Sequence, residues 1–248
     1  VEESTFNMVE ELSELRKRIL ITVGIFLLFF IGAFVFVRDI YEWLVKDLPV
    51  PLAVLGPSEI LWVYVMLASV AAITAVIPVA AYQVWRFVSP ALTEKERKVS
   101  ITYIPALFLL FIGGISFGYF VLFPIVLQFL MSLSDDLFTT FFTTEKYFRF
   151  LMQMTLPFGF LFELPLVIMF LTSLGILNPE RLRKSRKYAY FGLVVVSVLI
   201  TPPDFLSDVL VIIPLFFLFE CSLLLSNVIY KRKQAAEAKR SGPEGMSA

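Results

Sequence analysis

The stretch 188–229, YAYFGLVVVSVLITPPDFLSDVLVIIPLFFLFECSLLLSNVI, decides how the rest of the chain must be read. It holds two apolar runs with only Thr201-Pro202-Pro203-Asp204 between them. The first run, 188–201, has 14 residues, about 21 Å as a helix. The second, 205–229, is long enough for the ~20 residues that a bilayer crossing needs. Two apolar helices joined by so tight a turn form a transmembrane hairpin. Working outward, four more apolar runs appear at 19–37, 60–85, 94–131 and 148–174. Six crossings put segments 1–18, 86–98, 175–187 and 230–248 on one side of the membrane, and these carry 17 of the 21 Lys and Arg residues. Only Arg38, Lys46, Lys146 and Arg149 fall on the other side or at its edge. Lys and Arg are retained in the cytoplasm, so both termini are expected there.

Composition supports this class. Hydrophobic residues make up 58% of the chain and mean hydropathy is +0.84, above the usual apolar share of a soluble domain. Net charge is zero, which gives no bulk argument for nucleic-acid binding. There is no His, and the single Cys221 lies in an apolar run. A disulfide scaffold, a cysteine-clustered zinc site and the usual neutral-pH acid/base are therefore unavailable. No nucleotide loop, metalloprotease motif or Ser/His pair is present, so the chain reads as a non-enzyme without a cofactor. No small-residue cleavage site follows the first run, so a cleaved leader is not expected.

The expected fold is an all-α integral membrane protein with six transmembrane helices, short C-terminal spans and a concave, lipid-facing side. Residues 1–230 form one membrane domain, and the polar tail 231–248 is expected to be disordered. An interfacial helix is predicted over about 7–18, with Asn7 as its cap and Met8, Leu12, Leu15 and Ile19 on its apolar face. Ser58 is expected to cap the second span. Thr93 and Glu96 form a capping box that opens the third. That third run would be about 57 Å long as one helix, nearly twice the hydrocarbon core, with Pro105 and Pro124 as its bends.

Two acids fall inside apolar runs. Glu163 lies between Pro157 and Pro165, and Glu220 lies in the sixth run. Intramembrane carboxylates cost about 2.5–3.5 kcal/mol on insertion scales. Such an acid either bonds to a carbonyl freed by a nearby proline, meets another helix, or lines a polar cavity.

Several strings recur in order along the chain. They are Glu14-Leu15-Arg16-Lys17-Arg18, Tyr82-Gln83-Val84-Trp85-Arg86-Phe87-Val88-Ser89-Pro90-Ala91-Leu92, Glu96-Arg97-Lys98, Phe117-Gly118-Tyr119-Phe120-Val121-Leu122-Phe123-Pro124, Phe158-Gly159-Phe160-Leu161-Phe162-Glu163-Leu164-Pro165, Leu199-Ile200-Thr201-Pro202-Pro203-Asp204 and Ile213-Pro214-Leu215. Together they resemble the TatC family, the polytopic core of the twin-arginine protein translocase, over about residues 7–230. Leu55-Gly56-Pro57-Ser58-Glu59 looks like the form of Bacillus-type members.

The resemblance implies a plasma-membrane receptor for twin-arginine signal peptides of folded proteins. It would assemble with single-span TatA/TatB-type partners, work as a homo-oligomer and draw on the proton gradient. Carried over, the signal-peptide acids match Glu14 and Glu96, flanked by Arg16, Phe87 and Arg97; either arginine could pair with the acids when no peptide is bound. Glu163 matches the acid that faces partner helices, and Val198, Leu199, Ile200 and Thr201 match a partner-contact region. Pro202, Pro203 and Asp204 form the turn, with Asp204 a possible helix cap. The competing reading is a proton-coupled small-molecule transporter carrying protons on Glu163 and Glu220.

Overall fold

The structure is a computed structural model, and it describes residues 2–46, 48, 52–132, 142–201 and 205–241. It is helical almost throughout, with one isolated bridge between Ala53 and Thr143. The helices are α1 (Glu2–Val35), α2 (Val37–Val45), α3 (Pro57–Val88), α4 (Glu94–Ser100), α5 (Tyr103–Phe117), α6 (Phe123–Ser132), α7 (Thr144–Leu161), α8 (Leu164–Ser173), α9 (Pro179–Lys184), α10 (Arg186–Ile200) and α11 (Phe205–Ser241).

Five of the six apolar runs are long and apolar enough to cross a membrane: Leu12–Val35, Pro57–Val88, Tyr103–Ser132, Thr144–Ser173 and Ser207–Lys231. The remaining run, α10, has only 15 residues, about 22 Å against a core of about 30 Å.

Proline accounts for where long runs break. It has no N–H and its ring crowds the carbonyl four residues earlier. Pro105 lies four residues past Ile101, where α4 ends and α5 has yet to begin. Pro124 follows a π-helical turn over Gly118–Leu122 that joins α5 to α6. Pro165 lies four past Leu161, and the chain bends at Phe162-Glu163 between α7 and α8. The third run is thus two bends and a short surface helix, not one 57 Å rod. By contrast, Pro78, Pro157 and Pro214 sit inside helices that continue past them.

Residues 7–18 are helical, as expected, and α1 continues unbroken from them into the first span. Two expectations for the helix ends are corrected. Gly56, not Ser58, precedes α3, with Pro57 as its first residue and the Glu59 carboxylate accepting from the Leu55 amide at 3.2 Å. The sixth helix continues past Lys231 to Ser241. Ala235, Ala236, Glu237, Ala238 and Lys239 are strong helix formers, so the tail is helical that far. The remainder of it lies outside the described residues.

Packing is uneven. α1 lies along α3 and none of its described residues is buried. The core is built from α3, α5–α8 and α11 around Val63, Phe111, Phe148, Met154, Phe158 and Val211, all fully buried. Two glycines bring α5 and its following turn into backbone contact with α7. A Cβ on Gly118 would lie 2.6 Å from the Met154 carbonyl oxygen, and one on Gly114 would lie 2.9 Å from the Gly159 Cα. Small residues four apart let helices approach closely in a lipid environment, where no hydrophobic force drives them together. At the end of α3 remote from Gln83, the Ala53 amide donates to the Phe142 carbonyl (3.0 Å) and the Thr144 amide donates back to Ala53 (2.9 Å). This clip ties the segment before α3 to the start of α7.

Candidate functional site

The polar site forms where α1, the C-terminal end of α3 and α4 meet. The run of three cations from Arg16 to Arg18 halts the apolar pattern of α1, and i,i+4 spacing brings Glu14 and Arg18 onto one face. They form an ion pair. The Arg18 side chain is largely buried, at 12% exposure, while Glu14 keeps 46%. From there Arg18 Nη1 reaches Gln83 Oε1 on α3 at 3.5 Å. Ser13, Glu14, Lys17, Gln83 and Arg86 line a cavity of about 360 Å³ between the two helices.

A second cavity of about 410 Å³ lies beyond Trp85, lined by Glu94, Arg97, Lys98 and Ile101. The Arg97 guanidinium lies 5.8 Å from the Trp85 ring centroid, within cation–π range. Trp85 Nε1 in turn donates to Ser100 Oγ at 3.0 Å. Trp85 also borders a third, apolar groove of about 460 Å³ between α3, α5 and α8, and Glu163 lies in its wall. One aromatic side chain thus separates a charged recess at the helix ends from an apolar groove along the spans.

Glu163 owes its position to the bend before Pro165. Its backbone carbonyl accepts from Leu166 and Val167. Both carboxylate oxygens are buried and have no hydrogen-bond partner among the described residues. Of the options for this acid, bonding to a freed carbonyl is therefore not realised. Glu220 differs: Arg186 Nη2 donates to it at 2.9 Å and the Tyr190 hydroxyl donates to its other oxygen. It is a tie between α10 and α11.

The expected residues are distributed as follows. Glu14 lies at the rim of the first cavity, and Arg97 at the second. Phe87 is half-buried near the end of α3. Arg16 is exposed and makes no ion pair among the described residues. The acid is paired with Arg18, not with Arg16 or Arg97. Glu96 falls on α4, but its side chain lies outside the described residues, as do Pro202, Pro203 and Asp204. Of the last three residues of α10 and the one that follows, Val198 (51%) and Leu199 (77%) are exposed, whereas Ile200 and Thr201 are buried. The Thr201 hydroxyl donates to Asp208, which thus ties the end of α10 to the start of α11. Arg18, Gln83 and Trp85 had no separate role in the sequence reading. Arg18 was findable from its spacing to Glu14; Gln83 and Trp85 needed the packing of α1 and α4 on α3.

Comparison with known proteins agrees with this architecture. A family model described as Sec-independent protein translocase protein (TatC) matches residues 10–214. The chain is 64% identical over 231 residues to the Sec-independent protein translocase protein TatCd of Bacillus subtilis (strain 168), covering 93% of this chain and 96% of that one. It is 43% identical over 236 residues to TatCy of the same organism, covering 94% of this chain and 93% of that one. Among solved structures, the crystal structure of the twin arginine translocase receptor TatC superposes with a TM-score of 0.79 at 34% identity, covering 88% of this chain and 99% of the other. The chain belongs to the TatC family of Sec-independent protein translocase proteins.

Proposed function

We propose that this chain is the signal-peptide receptor and assembly core of a twin-arginine protein translocase in the plasma membrane, with both termini in the cytoplasm. The orientation rests on the charge count, since the recess around Glu14, Arg86 and Arg97 lies at the Lys/Arg-rich end. The carrying observation is that Glu14, at the rim of a cavity, already holds a guanidinium from its own helix. An incoming arginine would present the same group, and a carboxylate can grip that planar fork in two places. Lysine lacks the fork. Glu14 and Glu96 would read the paired arginines, with Arg16, Phe87 and Arg97 shaping the recess.

Charge pairing at an exposed site contributes only about 0.2–1 kcal/mol. The apolar groove beyond Trp85 supplies what the acids lack: a surface for the signal peptide's hydrophobic run. Single-span TatA/TatB-type partners would meet Glu163 and the outward stripe of α10, formed by Phe191, Val195, Val198 and Leu199. Export of folded cargo would draw on the proton gradient, with several copies in the working complex.

The test is binding of a labelled signal peptide to the purified chain in nanodiscs, comparing Arg-Arg with Lys-Lys and native protein with Glu14→Ala and Glu96→Ala. Preference for Arg-Arg that either change removes supports the reading. Equal binding of both peptides, unaffected by the two changes, sinks it.

A further inference from the structure

Along α9 and the start of α10, five cations fall within seven residues: Arg181, Arg183, Lys184, Arg186 and Lys187, with only Glu180 opposing them there. Arg181, Arg183, Lys184 and Lys187 are exposed, and none makes an ion pair among the described residues. At the recess of α1, α3 and α4, Arg18 is paired with Glu14 and Arg97 lies over Trp85, while Arg16 is exposed and makes no ion pair among the described residues. Arg186 is the anchored member of the five, bound to Glu220, while its Nε is buried without a partner.

The cluster has a fixed base. α9 packs on α11 and buries Pro179 and Leu182, and the Asn178 side chain caps it by accepting from the Glu180 amide at 2.9 Å. Two exposed amphipathic or apolar side chains flank the cations, Ile176 at 63% and Tyr188 at 81%. Tyrosine and aliphatic side chains beside Lys and Arg at a span's end suit the headgroup boundary. α10 starts there without a side-chain cap, because the Ser185 hydroxyl donates to the Leu182 carbonyl instead (3.1 Å). The helix N-terminus adds partial positive charge. As α10 is about 8 Å shorter than the hydrocarbon core, the bilayer surface is drawn toward this charge.

We propose that this face is a binding site for anionic phospholipid, the phosphodiester lying at the start of α10 against Arg181, Arg183, Lys184 and Lys187, and the acyl–headgroup boundary lying along Ile176 and Tyr188. A zwitterionic lipid fits poorly, since its ammonium would face the same cations. A soluble acidic segment would leave Ile176 and Tyr188 uncovered.

The experiment uses the full chain in a neutral detergent with phosphatidylglycerol or phosphatidylcholine added, reading retained lipid by native mass spectrometry. The native chain should retain phosphatidylglycerol preferentially. A variant with Arg181→Gln, Arg183→Gln, Lys184→Gln and Lys187→Gln should hold it at least about tenfold more weakly, since each surface cation strengthens attraction to anionic lipid several-fold. Arg181→Lys with Arg183→Lys should keep most of the preference. If the neutralised variant melts early in phosphatidylcholine, titrating salt on the native chain replaces it, and phosphatidylglycerol retention should fall. Equal retention of the two lipids by the native chain overturns the proposal. So does retention that neither neutralisation nor salt changes, or displacement of the lipid by millimolar inorganic phosphate or by an acidic peptide alone.

Discussion

Gly113 and Gly114 are adjacent on α5, yet the structure gives them opposite roles. A Cβ at Gly113 meets nothing within 4 Å, while one at Gly114 meets the Phe158 backbone, with the Phe158 carbonyl carbon and the Gly159 Cα both at 2.9 Å. Contacts under 3.0 Å force something to shift, and here the obstacle is helix backbone, which cannot rotate aside. Gly114→Ala must therefore push α7 outward. Overpacking of that kind costs about 1–3 kcal/mol. Gly113→Ala meets open space and gains helix propensity of up to about 1 kcal/mol. At roughly 2–4 °C per kcal/mol for a chain of this size, Gly114→Ala should melt about 3–10 °C below the native protein, and Gly113→Ala at or slightly above it. Thermal unfolding in a fixed detergent, followed by loss of monodisperse protein, gives both values. A Gly114→Ala protein that melts with the native one, or a Gly113→Ala protein that melts well below it, would refute the close approach of α5 and α7.

Two further outcomes follow from groups at other helix contacts. Glu163→Leu removes a carboxylate whose two oxygens are buried and unpartnered, so the isolated chain should melt higher, by about 1–3 kcal/mol of relieved desolvation. The same change should reduce co-purification of a TatA-type partner; a lower melting point with unchanged partner binding would contradict both halves. Thr172 and Ser226 share a buried hydrogen bond of 2.7 Å between α8 and α11, and a Thr172→Val/Ser226→Ala double-mutant cycle should give about 0.6 kcal/mol of coupling, the usual size inside membrane proteins. Zero coupling would mean the two hydroxyls bond only to their own helices.

What the sequence disclosed followed from strong local physics. The pairing of α10 with α11 and the long apolar runs are visible because bilayer thickness imposes a length on every span. Pro105, Pro124 and Pro165 each mark a real interruption, because a missing N–H acts on its own helix. Amphipathic spacing and membrane spacing are both helical, so nothing local marks where the N-terminal part of α1 passes into the first span. The helical continuation to Ser241 was obscured by polarity, although its alanines favour helix. At the site, the charge pattern singled out Glu14 and Glu163. It could not show that Arg18 reaches Gln83, nor that Trp85 stands between a charged recess and an apolar groove. Both depend on how α1 and α4 lie against α3, a matter of packing between distant segments. Likewise, the 3.6-residue turn of α10 decides that Val198 and Leu199 face outward while Ser197 and Ile200 face in.

The clip between Ala53 and Thr144 closes a loop of 91 residues. Membrane segments leave the ribosome in order, so the strand partner of Ala53 is not yet made when α1 and α3 enter the bilayer. The Ala53 backbone must wait, hydrated, through the insertion of the third span. Only when the fourth begins can its amide and carbonyl be satisfied, and closure then joins the early half of the chain to the late half. A nascent chain stalled before Thr143 should therefore expose residues 52–56 to added protease, and release past α7 should remove that sensitivity.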